Sequence, residues 1–206
     1  MDLKGKKVLV FGAGKSGIGA ADLLGSVEAQ PIIYDGNENL DKEAVLHKTN
    51  GTYTPEIWAG AFPEGEMESL DLVVLSPGVP TDLPLVKSFY EKGLPVWSEV
   101  ELAYRTGKGE VLAITGTNGK TTTTALLGKI MGDARESVFV VGNIGTAYTS
   151  KSLETREDSV TVAEISSFQL ETIEQFRPKV SAILNITEDH LNRHHTMEEY
   201  IRVKEL

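Results

Sequence analysis

The chain has 206 residues, of which 40% are hydrophobic and 24% charged, the proportions of a soluble globular protein with room for one large or two small domains. A net charge of −10 argues against a nucleic-acid or anionic-membrane surface, so any bound anion must be held by local donors. With no cysteine there is no disulfide, thiolate metal site or cysteine nucleophile, and no apolar run is long enough for a signal or a membrane span, so a cytoplasmic protein is expected.

Residues 8–11 (Val-Leu-Val-Phe) read as a buried strand, followed by a Gly-rich loop and a helix through Ala20, Ala21, Leu23 and Leu24. The loop, Gly12-Ala-Gly-Lys-Ser-Gly17, matches G-x-G-x-x-G, and Asp35 closes the next strand (residues 31–34) where a ribose-binding acid sits in dinucleotide folds. The match supports a nucleotide diphosphate at the tip of this sheet without saying which nucleotide; glycines serving only tight strand–helix packing are the alternative. A third strand, residues 71–75, stops at Ser76-Pro77-Gly78, on the carboxyl edge where open α/β sheets bind ligands, although Pro and Gly also make a plain turn. A helix over residues 84–92 and a short strand at 95–97 follow. The polar, Gly-rich stretch 105–110 marks a boundary, giving domains 1–106 and 107–206.

The second half restarts with a strand at 111–115 that enters Gly116-Thr-Asn-Gly119 and delivers Lys120 and Thr121 to the start of an apolar helix. Strand, glycine loop and helix N-terminus in that order form a phosphate cradle. Lys120 can reach the β/γ-phosphates of ATP and the Thr121 hydroxyl can ligate Mg²⁺. The spacing is one residue tighter than G-x-x-x-x-G-K-[ST]. Further strands are expected at 138–141, 160–165 and 180–186, so both halves read as α/β folds with parallel sheets. Glu164 ends one of these strands, where an acid near a phosphate loop can serve Mg²⁺. His190, beside Glu188 and Asp189, ends another and is a candidate metal ligand, while His194 and His195 lie in a polar turn and are expected to face solvent. Thr196 and Glu199 form a capping-box pattern for a last helix, which has barely begun when the sequence stops at Leu206.

Four motifs now stand in order: Gly116–Thr121, Gly142-Asn-Ile-Gly145, Glu164-Ile-Ser-Ser-Phe-Gln-Leu-Glu171 and Asn185-Ile-Thr-Glu-Asp-His-Leu-Asn-Arg193. Together they resemble the ATP-dependent Mur ligases, and the Ser166–Glu171 segment is similar to the member that adds D-glutamate to UDP-N-acetylmuramoyl-L-alanine in peptidoglycan synthesis. The resemblance implies a Rossmann-like UDP-binding domain followed by a P-loop ATPase domain, with amide-bond formation through an acyl phosphate. It implies that Gly116, Thr117, Asn118, Gly119, Lys120, Thr121 and Thr122 hold the ATP phosphates. One Mg²⁺ would sit on Thr121 and Glu164 and a second on His190 and a carbamylated Lys204. Asn143 and Ser166 would meet the muramoyl portion, and Lys15, Ser16, Asp35 and Gly78 the UDP, with no NAD involved. Gly36 and Asn37, where some members present a basic side chain, depart from the pattern. The family is about twice this length and has a third, C-terminal domain. This chain is therefore expected to be truncated within its second domain, inactive alone, and monomeric when full length. Its Lys204 is expected to be unmodified and mobile on a frayed last turn. Two rivals remain open: an NAD(P)-dependent oxidoreductase and a non-catalytic nucleotide-binding fragment.

Overall fold

The computed structural model describes residues 2–143 and 145–206. The chain divides into two compact units, Met1–Leu102 and Ala103–Leu206. The division falls inside a helix, α4 (Glu99–Thr106), that the sequence pattern did not disclose.

The first unit is a five-stranded parallel sheet of order β3-β2-β1-β4-β5. Its strands are β1 (Lys7–Phe11), β2 (Gln30–Asp35), β3 (Glu56–Ala59), β4 (Leu72–Leu75) and β5 (Val96–Ser98). The two central strands β1 and β4 are buried runs of β-branched and apolar residues, as a sheet covered on both faces requires. Helices α1 (Lys15–Ser26), α2 (Lys42–Leu46) and α3 (Pro84–Glu91) connect them. Leu9, Phe11, Tyr34, Trp58, Val73 and Phe89 belong to one apolar cluster. Strand order reverses between β1 and β4, so the loops after these strands border the crevice at which such sheets take ligands.

The second unit is a four-stranded parallel sheet of order β7-β8-β6-β9, from β6 (Glu110–Thr115), β7 (Val138–Gly142), β8 (Val160–Glu164) and β9 (Val180–Ile183). Helix α5 (Lys120–Ala134) crosses from β6 to β7. Two single-turn helices, α6 (Ser167–Leu170) and α7 (Leu191–His194), and α8 (Met197–Lys204) pack together beyond the strand ends. Thr196 caps α8 as the sequence indicated, its hydroxyl accepting the Glu199 N–H at 3.1 Å. The helix is eight residues long and ends at Lys204, so it is a formed element and not a first turn.

Candidate functional site

In the first unit three strand ends meet. Gly12 leaves β1 with φ 107°, and a Cβ on Gly17 would run into the Gly12 carbonyl. The loop is thus folded tightly onto the start of α1, and only glycine fits there. Asp35 fastens it: one carboxylate oxygen accepts the Ala13 N–H and the other the Asn37 N–H, both at 3.0 Å. The Ser76 hydroxyl donates to the Gly12 carbonyl at 3.3 Å. Lys15, Ser16, Asp35 and Gly78 therefore lie on one carboxyl edge, around a loop that presents the N-terminus of α1 without a side-chain cap. Asp35 also acts as the brace of this loop, which the fingerprint alone does not reveal.

In the second unit the loop after β6 is held from both sides. Gly116 (φ 142°) and Gly119 (φ 84°) adopt conformations open to glycine, and Gly119 is the N-cap of α5 without a side-chain partner. Lys120 folds back over the loop, its ammonium donating to the carbonyls of Gly116 and Thr117 at 2.9 Å each. Glu164, 2% exposed, ends β8 in register with Ile114 of β6 on one side and Gly142 of β7 on the other. A Cβ on Gly142 would collide with the Glu164 carbonyl, which accepts the Asn143 N–H at 3.0 Å. Asn143 and Glu164 are thereby fixed side by side. Ile144, inside the second motif, lies outside the described residues.

Ser166 caps α6 in a capping box: its backbone N–H donates to Gln169 Oε1 at 2.8 Å, and its Oγ accepts the Gln169 N–H at 3.3 Å. That role was not read from the sequence, although Ser-x-x-Gln before a short apolar run is its signature.

Two expectations are corrected. Lys204 is not a mobile side chain on a frayed turn; it is 5% exposed, donating to Thr115 Oγ1 at 3.3 Å and to the Gly116 carbonyl at 3.1 Å. Its ammonium lies 4.8 Å from the Tyr200 ring centroid, and Tyr200 and Val203 are each 1% exposed, so burial of the apolar face of α8 draws the lysine inward. Burial, then the neighbouring Lys120 charge, lowers its pKa from 10.5 to about 8. His194 is not in solvent either. It is 3% exposed, with Nε2 2.9 Å from Ser167 Oγ and Nδ1 3.4 Å from Glu171 Oε1. Glu171 also takes the guanidinium of Arg193, 11% exposed, in a two-point pair. Burial holds the His194 pKa below its usual value, against the pull of Glu171. His195 is exposed as expected. His190, with φ 52°, sets its ring 4.8 Å from Phe168 and beside Asp189 at 3.4 Å.

The Mur ligase MurD-like N-terminal domain matches residues 6–98, and the Mur ligase middle domain matches residues 114–206. A UDP-N-acetylmuramoylalanine–D-glutamate ligase of Lachnospira eligens is 61% identical over 205 residues, and one of Lachnoclostridium phytofermentans is 59% identical over 204. The chain belongs to the Mur ligase family. This Mur ligase chain is covered to 100% and 99% by those two relatives but spans only 45% of the length of each. Among solved structures, the UDP-N-acetylmuramate:L-alanyl-γ-D-glutamyl-meso-diaminopimelate ligase of Neisseria meningitides superposes with a TM-score of 0.56 at 16% identity, over 97% of this chain and 66% of that one. The UDP-N-acetylmuramate-alanine ligase MurC of Thermotoga maritima gives 0.51 at 24% identity, over 97% and 46%. Both share the parallel-sheet α/β fold of this Mur ligase chain.

Proposed function

We propose that this chain is the UDP-substrate-binding and nucleotide-binding part of an ATP-dependent ligase that joins D-glutamate to UDP-N-acetylmuramoyl-L-alanine. Its two domains would be residues 1–106 and 107–206. The observation that carries this reading is the loop 116–122, in which glycine conformations, an uncapped helix start and two lysine ammoniums share one carbonyl. Two cations and a positive helix end, with a single buried acid nearby, suit a polyphosphate.

The donor set also suits magnesium. Among the described residues no three His, Cys, Asp or Glu side chains stand together to cage a metal. Mg²⁺ needs no such cage, since it keeps waters and substrate phosphates beside one or two protein oxygens. Thr121 and Glu164 would supply those, and the bound ion would neutralise charge developing on the phosphates. His190 and Lys204 would hold a second ion only once Lys204 has lost its ammonium proton and gained a carboxylate from CO₂, because an ammonium repels a cation.

The chemistry follows from the charges. The substrate's terminal carboxylate would attack the γ-phosphorus as the bond to the bridging oxygen breaks, giving an acyl phosphate and ADP. The D-glutamate amine would then attack the acyl carbon, release phosphate and lose a proton. Lys120 stabilises the negative charge brought together in the first step. The amine's site would belong to the length of the relatives that this chain does not span. The soluble, cytoplasmic setting, the monomeric state at full length and the inactivity of this chain alone are part of the same reading. No helix among the described residues is long and apolar enough to cross a membrane.

A dinucleotide oxidoreductase is less well supported, because it leaves the second glycine loop, with the Lys120 and Lys204 ammoniums on the Gly116 carbonyl, without a role. Calorimetric titration of the chain with UDP-N-acetylmuramoyl-L-alanine, MgATP and NADH separates the readings. Binding of the first two is expected; NADH binding in place of the UDP substrate overturns the ligase assignment.

A further inference from the structure

We propose that Asn185 is a positioning residue for the phosphate loop. It holds Thr117 and Asn118 in place and leaves the amides of residues 119–122 as the donors for the nucleotide's phosphates. This rests on the nucleotide reading of that loop and extends it to a residue 67 positions away from Asn118.

Asn185 grips two successive loop residues with three hydrogen bonds. Its carbonyl accepts the Thr117 N–H at 2.9 Å. Its side-chain Oδ1 accepts the Asn118 N–H at 2.9 Å, and its Nδ2 donates to the Asn118 carbonyl at 3.0 Å. The amide side chain thus pairs with both backbone groups of Asn118, as a neighbouring strand would. Gly116 permits this approach: a Cβ there would stand 3.1 Å from the Asn185 carbonyl oxygen and 3.2 Å from the Leu184 nitrogen. Two residues on, the Thr187 N–H donates to Thr117 Oγ1 at 3.0 Å, and that hydroxyl donates to the Thr187 carbonyl at 3.1 Å. Tyr200 Oη lies 3.1 Å from the same oxygen.

The consequence is a division of labour within the loop. Thr117 and Asn118 have their N–H groups committed inside the protein, whereas the first amides of α5 lack intrahelical acceptors and stay available to an anion. The clamp is exposed to water, so it adds little to global stability. What it controls is the shape of a segment flanked by two glycines. Such a segment would otherwise lose backbone freedom on ligand binding, and a loop ordered in advance avoids that loss.

Asn185→Ala deletes the two side-chain bonds and keeps the backbone carbonyl, so three measurements on the full chain test the proposal. In the nucleotide-free protein, exchange of the Asn118 amide should accelerate while that of Thr117 stays slow. MgATP binding, by calorimetry, should weaken by about tenfold or more while UDP binding and the unfolding temperature stay as in the parent. In the parent, MgATP should shift the amide resonances of residues 119–122 more than those of Thr117 and Asn118. Unchanged MgATP affinity in Asn185→Ala, or unchanged exchange at Asn118, overturns the proposal and leaves the nucleotide reading standing. If the parent chain itself binds no MgATP, the nucleotide reading fails and the proposal falls with it.

Discussion

Lys120 and Lys204 meet at one acceptor. The Gly116 carbonyl takes the ammonium of Lys120 at 2.9 Å and that of Lys204 at 3.1 Å. One lysine starts α5 and the other ends α8, so the loop 116–119 is bounded by two positive charges from distant parts of the second unit's sequence. Bringing them together in a buried place has a cost that falls on the more buried one, Lys204.

That cost is visible in pH dependence. The folded-state pKa of Lys204 lies near 8, below the ordinary 10.5, because burial and Lys120 disfavour its charge. The folded protein therefore holds this proton less tightly than the unfolded chain does. Below about pH 8 the penalty is constant; between about 8 and 10.5 it is relieved as the lysine loses its proton. Relative to Lys204→Met, the parent should gain stability over that window, by an amount on the order of 3 kcal/mol. Denaturant unfolding in metal-free buffer measures it. A difference that does not change with pH would show that Lys204 keeps an ordinary pKa.

His194 should act with the same sign at lower pH. Its folded pKa lies below 6.5, so its neutral form stabilises the fold above that value, and stability is lost as pH falls through the folded pKa. His194→Gln should flatten the acid side of the stability profile, below pH 6.5. If the variant's profile runs parallel to the parent's, His194 does not titrate in this range and its partners hold it otherwise than described.

What the sequence disclosed, and what it hid, follows from the range of each interaction. Residues 8–11 and 72–75 are continuous apolar runs that stop at Gly12 and just before Pro77, and residues 160–162 are all β-branched, so buried strands were legible locally, as was the loop 116–121. Strand β3 was missed because it is four residues long, too short to show a period, and follows directly on Pro55. Helix α4 was missed because Glu99 and Glu101, 4% and 0% exposed, break the apolar period that Val100, Leu102 and Ala103 would otherwise show. The His194 site needs Ser167, 27 residues away, and the clamp on Asn118 needs Asn185, 67 residues away. No window along the sequence contains such pairs. The inward turn of Lys204 likewise depends on Thr115 and Gly116, 89 and 88 residues earlier.

Lys120→Ala tests the proposed ATP site apart from the proposed UDP site. It removes a cation from the loop of the second unit and changes no residue of the first, so UDP binding should persist within about twofold. In a full-length relative carrying the same change, ATP-dependent turnover should fall by about a hundredfold or more. Retention of turnover within a few-fold would remove Lys120 from the phosphate site.

The last prediction contrasts two glycines of one motif. Gly14 has φ −77° and ψ −176°, a conformation any residue adopts, and nothing stands within 4 Å of an added Cβ. Gly17 has the reverse situation, its Cβ position occupied by the Gly12 carbonyl and crowded by Ser76 Oγ at 2.9 Å. Gly14→Val should therefore fold with an unfolding temperature within a few degrees of the parent, whereas Gly17→Ala must displace backbone and should lose about 2 kcal/mol or more. If the loop 12–17 receives the diphosphate of a UDP conjugate, the valine stands where backbone must approach phosphate. UDP affinity should then fall by about tenfold or more in Gly14→Val, without loss of structure. A Gly14→Val chain that binds UDP as the parent does would move the UDP site away from this loop, and a Gly17→Ala chain of undiminished stability would contradict the close packing of α1 on β1.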